Sequence, residues 1–299
     1  MQNYICCFGE VLWDLLPSGR LPGGAPMNVA THLQNLGITS AVISRVGNDE
    51  LGQEIRAFLE DKNCTTDFLQ TDNQHPTGKV NVFLSEKHEA TYEIVQPVAW
   101  DFISISPETI DLVKNANALI FGSLACRDTH TRDTLLSLIE VASLKIFDVN
   151  FRPPHYSQQL IEMFLHKADI VKMNDDELDI IAAWYDLSER NNQEILTHLK
   201  EKFTLKTLIV TKGSNGAMLI DNQGFFESKG FKVEVMDTIG SGDSFLAGFL
   251  KNYLSGNSPE YSLTYACALG ALVASHKGAN PKIDEMDILK MIEKESCTA

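Results

Sequence analysis

Positive charge is scarce in this chain. Across 299 residues, 25 lysines and arginines face 40 aspartates and glutamates, a formal net charge of −15. Nucleic acids and anionic bilayers are bound through basic faces that release counterions, so this balance argues against both as partners. An anionic substrate would need a local positive site instead. No apolar run approaches the length of a membrane span, and Met1 to Phe8 lacks the basic stretch and long apolar core of an export signal, so the expected compartment is the cytoplasm. The six cysteines include no C-x-x-C and no histidine at zinc spacing, so neither a metal cluster nor a disulfide framework is expected. Adjacent Cys6 and Cys7 are expected to be reduced and partly buried, on opposite faces of a first strand. A Walker A loop, a G-x-S-x-G elbow and H-E-x-x-H are all missing, which removes P-loop kinases, serine hydrolases of that type and zincins. There is no internal repeat, low-complexity tract or proline-rich linker, so 1–299 reads as one domain.

Short apolar runs alternate instead with segments of helical period, the pattern of a parallel α/β sheet. Tyr4–Phe8 begins the series, and strands are expected at 41–44, 118–121, 145–148, 170–173 and 207–210. Helices are expected at 26–36, from 48 or 49 onward, and near 129–142, 174–184 and 188–202; after residue 240 the chain is mostly helical. Residues 79–84 and 90–95 break the rhythm as a β-hairpin. With 11–16 they predict a small sheet formed by insertions at about 11–22 and 72–98, although extra strands on the edge of the main sheet would give the same pattern.

The segment Asp237-Thr-Ile-Gly-Ser-Gly-Asp-Ser-Phe245 is the most informative. It reads as a glycine turn entering a helix, where backbone N–H groups point outward at the positive helix end and bind anions. Gly240 and Gly242 permit close backbone approach, and Asp243 places a carboxylate where an incoming phosphate needs a base. Such a pairing suits phosphoryl transfer to a hydroxyl; an ordinary N-capping aspartate is the plainer reading. Gly240-Ser-Gly242 also begins a dinucleotide pattern, but Phe245 stands where the third glycine belongs.

Three further groups of residues accompany it. Gly23-Gly24 precedes a helix on whose first turn Asn28 lies, and Asn28 and Asp14 could converge on sugar hydroxyls. Asn174-Asp-Asp-Glu177 follows a strand, as a capping box or as groups facing a magnesium nucleotide. Thr211-Lys-Gly-Ser-Asn-Gly216 is a hairpin turn or a loop whose backbone borders a nucleotide.

Together and in this order, Gly23-Gly24 with Asn28, Asn174-x-x-Glu177, Thr211-x-Gly213-x-x-Gly216 and Asp237-Thr-x-Gly-x-Gly-Asp243 resemble the ribokinase/PfkB carbohydrate kinase family over nearly the whole chain. The resemblance implies a three-layer α/β/α domain with a mostly parallel central sheet, a small β-sheet lid over the sugar, and magnesium-ATP as donor. It makes Asp243 the catalytic base and the backbone at Gly240, Ser241 and Gly242 an anion hole. Ser241 departs from the alanine common there, but its small side chain leaves the backbone donors in place. Asn174 and Glu177 match the motif that orders magnesium and phosphates, Glu177 acting indirectly; Thr211, Gly213 and Gly216 match the nucleotide loop. A potassium or other monovalent site is implied near Asp237, Ile239 and 277–280. Gly-Gly-Ala-Pro-Met-Asn28, the segment from Gly9 through Asp14 to Pro17, and Asp148-Val-Asn-Phe-Arg152 are similar to fructokinase segments. Asp14, Gly23, Gly24, Asn28 and Arg152 are then the sugar-binding candidates. Arg152 also suits an acidic acceptor, which keeps a 2-keto-3-deoxygluconate kinase in view beside ribokinase, nucleoside kinase and phosphosugar kinase activities. A non-catalytic sugar or nucleotide sensor is the reading from another class. A homodimer paired through the small sheet is expected.

Overall fold

The computed structural model describes residues 4–16, 19–84 and 90–296. They fall into two compact units, one built from residues up to Gln34 and from Ile38–Ser143, the other from Asn35–Gly37 and from Leu144 onward.

In the first unit, four parallel strands lie in the order Ala118–Gly122, Tyr4–Phe8, Thr39–Gly47 and Leu69–Asp72. Strands covered on both faces read as continuous apolar runs, and Ile5, Cys6, Cys7 and Phe8 are all fully buried. The two cysteines are thus more deeply placed than expected, because helical layers leave neither face of this strand in water. Burial pushes the Cys6 thiol up to about 12 and, with the neighbouring Cys6 and Cys64 adding to it, the Cys7 thiol up as well, so both stay protonated and inert. The helix Glu50–Asp61 starts at Asp49, whose carboxylate accepts from Gly52 N at 2.8 Å and from Thr77 N and Oγ1 at 2.9 and 2.6 Å. One side chain thereby caps a helix and pins the turn that leads into the second sheet.

That second sheet has four strands, in the order Gly19–Gly23, Leu12–Leu16, Gly78–Leu84 and Ala90–Ile94. The expected hairpin is present, with Val80 opposite Ile94 in antiparallel register. It forms a separate sheet rather than an edge extension, and Gly19–Gly23 adds a strand that the sequence pattern did not reveal. The polar turn at 85–89 lies outside the described residues.

In the second unit, Lys145–Asp148, Ile170–Asn174 and Thr207–Thr211 run parallel, followed by antiparallel Ala217–Ile220 and Phe225–Ser228. Helices span Gln158–Leu165, Asp175–Ala183, Asn192–Phe203, Ser241–Leu254, Pro259–Ala274 and Glu285–Ser296. Ile146, Phe147, Val171, Leu208 and Ile209 are buried to within 0% exposure. Each such side chain contributes about 1.5–3 kcal/mol on leaving water. The register aligns Lys172 with Asp148 and Asn174 with Thr211, so the polar ends of three parallel strands come together at one edge of an apolar sheet. Ligands in open α/β sheets bind beyond such carboxyl ends.

Candidate active site

The helix Ser241–Leu254 begins at Gly240, whose φ of 77° is left-handed. A Cβ on Gly240 would also lie 2.5 Å from the Ala279 carbonyl oxygen, so both conformation and space require glycine there. The amide of Ser241 is directed at Thr238 O, 3.3 Å away, whereas those of Gly240 and Gly242 donate to no carbonyl among the described residues. The positive helix end therefore carries free donors at both glycines, with the Ser241 donor partly engaged. Asp243 stands in the first turn, half-buried, one residue beyond Gly242. Asp237 shapes the approach to this turn: its Oδ1 accepts from Ile239 N at 3.0 Å and its Oδ2 from Gly278 N at 3.1 Å. It ties the glycine loop to the segment after Ala274.

Behind the helix end lies a buried charge cluster. Lys172 Nζ donates to Asp148 Oδ1 and Oδ2 at 2.9 and 3.0 Å, with the two side chains only 9% and 5% exposed. Burial by itself would push the ammonium down, but the carboxylates of Asp148, Asp243 and Glu177 outweigh it, and Lys172 titrates above its ordinary range. Glu177 is buried too; desolvation raises its carboxyl despite opposing contributions from Lys172 and two backbone hydrogen bonds. Those bonds come from Phe151 N to Oε1 at 2.7 Å and from Asn174 N to Oε2 at 2.8 Å.

Asn174 and Glu177 form a complete capping box, since Asn174 Oδ1 in turn accepts from Glu177 N at 2.8 Å. The structural explanation for this motif is therefore realised in full. It also leaves the Asn174 carboxamide N–H groups without a protein acceptor among the described residues, at the start of a helix. Thr211 ends its strand with Oγ1 3.5 Å from Met173 O. Residues 213–215 form one 3₁₀ turn, and the loop closes as a hairpin onto Ala217–Ile220. Gly213 (φ 52°) faces open space, whereas a Cβ on Gly216 (φ 87°) would lie 2.0 Å from Ser228 O. Gly216 thus serves the hairpin, and Gly213 keeps the loop surface clear.

Arg152 is exposed, bonds its own neighbour's carbonyl at Phe151 and makes no ion pair among the described residues. The sequence reading left Asp148 and Lys172 out of the site. A lysine inside an apolar strand was the available signal, since a buried cation requires a partner.

In the first unit, Asp14 lies on Leu12–Leu16 opposite Leu21 of Gly19–Gly23. A Cβ on Gly23 would lie 2.5 Å from Asp14 Oδ2, and one on Gly24 (φ 114°) would lie 2.4 Å from Glu10 O. The paired glycines therefore make room for the Asp14 carboxylate and for the chain beside it. Asn28 is buried in the helix Ala25–Asn35, its amide donating to Gly24 O at 2.9 Å. Asp14, Gly23 and Gly24 are brought together within this unit, and Asn28 follows one helical turn later.

The model of the pfkB family of carbohydrate kinases matches residues 18–286. The chain belongs to that family. A fructokinase of Salmonella typhimurium is 30% identical over 93% of this chain and 95% of its own length. Among solved structures, the fructokinase of Xylella fastidiosa with bound ATP has a TM-score of 0.88 at 22% identity, covering 99% of this chain and all of that one. The fructokinase of Vibrio cholerae, with fructose, ADP and a calcium ion bound, has a TM-score of 0.81 at 25% identity, covering 97% and 99%. The fold is accordingly the ribokinase-like α/β/α fold with a mostly parallel central sheet and a second, small sheet, and this pfkB member is a sugar kinase.

Proposed function

We propose that this kinase transfers the γ-phosphate of ATP to the 6-hydroxyl of D-fructose, with Asp243 as general base. The observation that carries the assignment is the placement of Asp243 in the first turn of a glycine-capped helix whose Gly240 and Gly242 N–H groups donate to no carbonyl among the described residues. Fructose as acceptor and a nucleotide as donor are supported by the Salmonella relative and by the ligands named for the Vibrio enzyme. The hydroxyl oxygen attacks phosphorus as its proton passes to the Asp243 carboxylate, and the bond from phosphorus to the bridging oxygen breaks to release ADP. Asp243 makes the nucleophile more basic without adding charge to the phosphoryl group, and the Gly240 and Gly242 amides receive charge spreading over the equatorial oxygens. Asn174, Thr211 and Gly213 are proposed to border the nucleotide, and Asp14, Gly23, Gly24 and Asn28 to hold the sugar.

Magnesium is proposed to arrive with ATP and would offset the charge of its phosphates. Among the described residues no three His, Cys, Asp or Glu side chains cluster as a metal cage. Magnesium keeps waters and substrate phosphates and takes one or two carboxylates. Both Glu177 oxygens already accept backbone N–H bonds, so that residue would act through water. A monovalent cation such as potassium is proposed beside Ile239 and Gly278, where Asp237 fixes the backbone of two loops at once. Among the described residues no helix is long and apolar enough to cross a membrane. A cytoplasmic location is part of the proposal.

The second reading is a 2-keto-3-deoxygluconate kinase, favoured by one observation: Arg152 is exposed without a carboxylate partner and could receive an acidic acceptor. A substrate panel of fructose, ribose, 2-keto-3-deoxygluconate, adenosine and fructose 6-phosphate separates the possibilities. Fructose-selective turnover that falls about 10²–10⁴-fold in Asp243→Asn is the expected result. Near-normal turnover in that variant removes the base assignment. Preference for the acid, lost in Arg152→Ala, moves the acceptor to the sugar acid. Absence of turnover on every acceptor supports a sensor.

A further inference from the structure

We propose that Lys172 is a catalytic residue, the cationic arm that contacts the transferring phosphoryl group, and that Asp148 is its resting counter-ion. The proposal rests on the assignment of the Gly240–Asp243 turn as the phosphoryl site.

Lys172 is a buried cation on the middle strand of three parallel ones, its side chain only 9% exposed. Its ammonium does not simply fill a gap in the sheet. A Cβ built on Gly242 would lie 3.3 Å from Nζ, so the charge sits against the second residue of the helix that carries Asp243. Gly242 also offers an amide N–H that donates to no carbonyl among the described residues. An ammonium has three donors. Asp148 takes two of the Lys172 protons, one per carboxylate oxygen, and the third has no acceptor among the described residues. One buried cation and one free helix-end amide therefore converge beside a candidate general base.

The charge balance explains why Asp148 belongs there. Three carboxylates, Asp148, Glu177 and Asp243, act on one lysine. Before nucleotide binds, Asp148 neutralises the buried ammonium through both oxygens. A γ-phosphate seated on the helix end brings anionic oxygens within reach of the third Nζ proton. Lys172 then offsets charge at the group being transferred, which ADP lacks. The pair thus favours ATP over ADP and gives the transferred group a cationic contact that a glycine loop cannot supply. Gly242 is part of the same design, because a side chain there would stand between Nζ and the helix end.

Equilibrium binding of ATP and of ADP, each with magnesium and without sugar, tests this by calorimetry. In Lys172→Met, ATP affinity should fall about 10- to 100-fold, the range of one charge-assisted hydrogen bond, while ADP affinity stays within about twofold. Lys172→Arg should recover part of the ATP preference. Asp148→Asn should move the other way, tightening ATP several-fold because the ammonium is no longer neutralised. The ADP affinity reports that the variants are folded. Should Lys172→Met unfold for want of its cation, Asp148→Asn/Lys172→Met removes both charges and must show the same loss of ATP preference. Equal weakening of ATP and ADP, or no change in either, overturns the proposal and leaves a purely structural ion pair. So does weakened ATP binding in Asp148→Asn. Asp243→Asn separates the two levels: inactive with normal ATP binding, it upholds the site whatever Lys172 does, whereas full turnover in that variant overturns the site and this proposal together.

Discussion

Single residues in this kinase are chosen by what lies within a few ångströms of them. Gly23 is the clearest case, because a methyl group there would lie 2.5 Å from Asp14 Oδ2. Gly23→Ala should therefore displace a proposed sugar ligand while leaving the nucleotide site unaltered. The expected result is a sugar KM raised about tenfold or more with the KM for ATP unchanged, since a lost hydrogen bond to a charged group is worth about 1.5–3 kcal/mol. Steady-state kinetics with each substrate varied in turn checks it; a parallel rise in both KM values contradicts the placement. Gly216 predicts a different outcome. Its φ of 87° and a Cβ position 2.0 Å from Ser228 O make Gly216→Ala a folding lesion, expected to cost more than about 1 kcal/mol in a denaturant titration. These glycines were legible as motif positions from spacing alone. Their reasons were not, because the colliding atoms come from residues 9 and 12 positions away in the chain.

At the scale of elements, helix starts do much of the placing. Asn174 and Glu177 each satisfy the other's backbone N–H, and Glu177 also holds Phe151 N at the end of the neighbouring loop. Asn174→Ala should cost about 0.5–2 kcal/mol as a lost cap and should also weaken nucleotide binding, since the exposed face of the carboxamide goes with it. A stability loss with unchanged ATP affinity would confine Asn174 to capping. The capping box could be read from Asn-x-x-Glu after an apolar run, and so could the hairpin at 78–94 from its alternation. The strands Ala217–Ile220 and Phe225–Ser228 and the helix Pro107–Asn115 were not anticipated, although Ser106-Pro107 supplies a cap and a proline at the first helical position. Short strands after a turn carry too few residues for a period to emerge. The small sheet ends in Gly19–Gly23 on one side and Ala90–Ile94 on the other. We propose that one of these edges pairs with a second copy of the chain; light scattering should return twice the 33.2 kDa chain mass, and a monomer would refute the pairing.

For the whole molecule, the excess of acid sets how stability follows pH. Burial would raise the carboxyls of Asp49, Asp72 and Asp169, but hydrogen bonds to each, with Lys79, Arg45 and the lysine pair Lys145 and Lys206 adding charge, leave all three below their ordinary value of 3.8. A carboxyl depressed by folding favours the folded state when ionised, so its contribution is complete above the ordinary value and is lost as pH falls through the lowered one. Glu177 works the opposite way, its raised carboxyl costing stability above its ordinary 4.5. With lowered carboxyls outnumbering the raised Glu177, the denaturant midpoint should stay level near neutrality and fall below about pH 4. Lys172, raised above 10.5, stabilises below that value and ceases to do so as pH climbs through its folded one, which sets an alkaline limit as well. Midpoints from urea titrations between pH 3 and 11 would show both edges; a midpoint that rises steadily with acidification would contradict the assignment.

The sequence by itself determined the fold class, the order of the glycine loops and the placement from which a role for Asp243 is proposed, because each depends on local backbone demands: apolar runs of strand length, glycines where φ is positive, a carboxylate in the first turn of a helix. What only the tertiary structure decided is which charges meet. Asp148 and Lys172 stand 24 residues apart and become one ion pair through the register of two parallel strands. The same fold brings the Lys172 ammonium to Gly242, 70 positions further along the chain. Electrostatic interactions act through space over a few ångströms and leave no periodicity in the chain, so the buried cation beside the proposed phosphoryl site became visible only when the sheet was assembled.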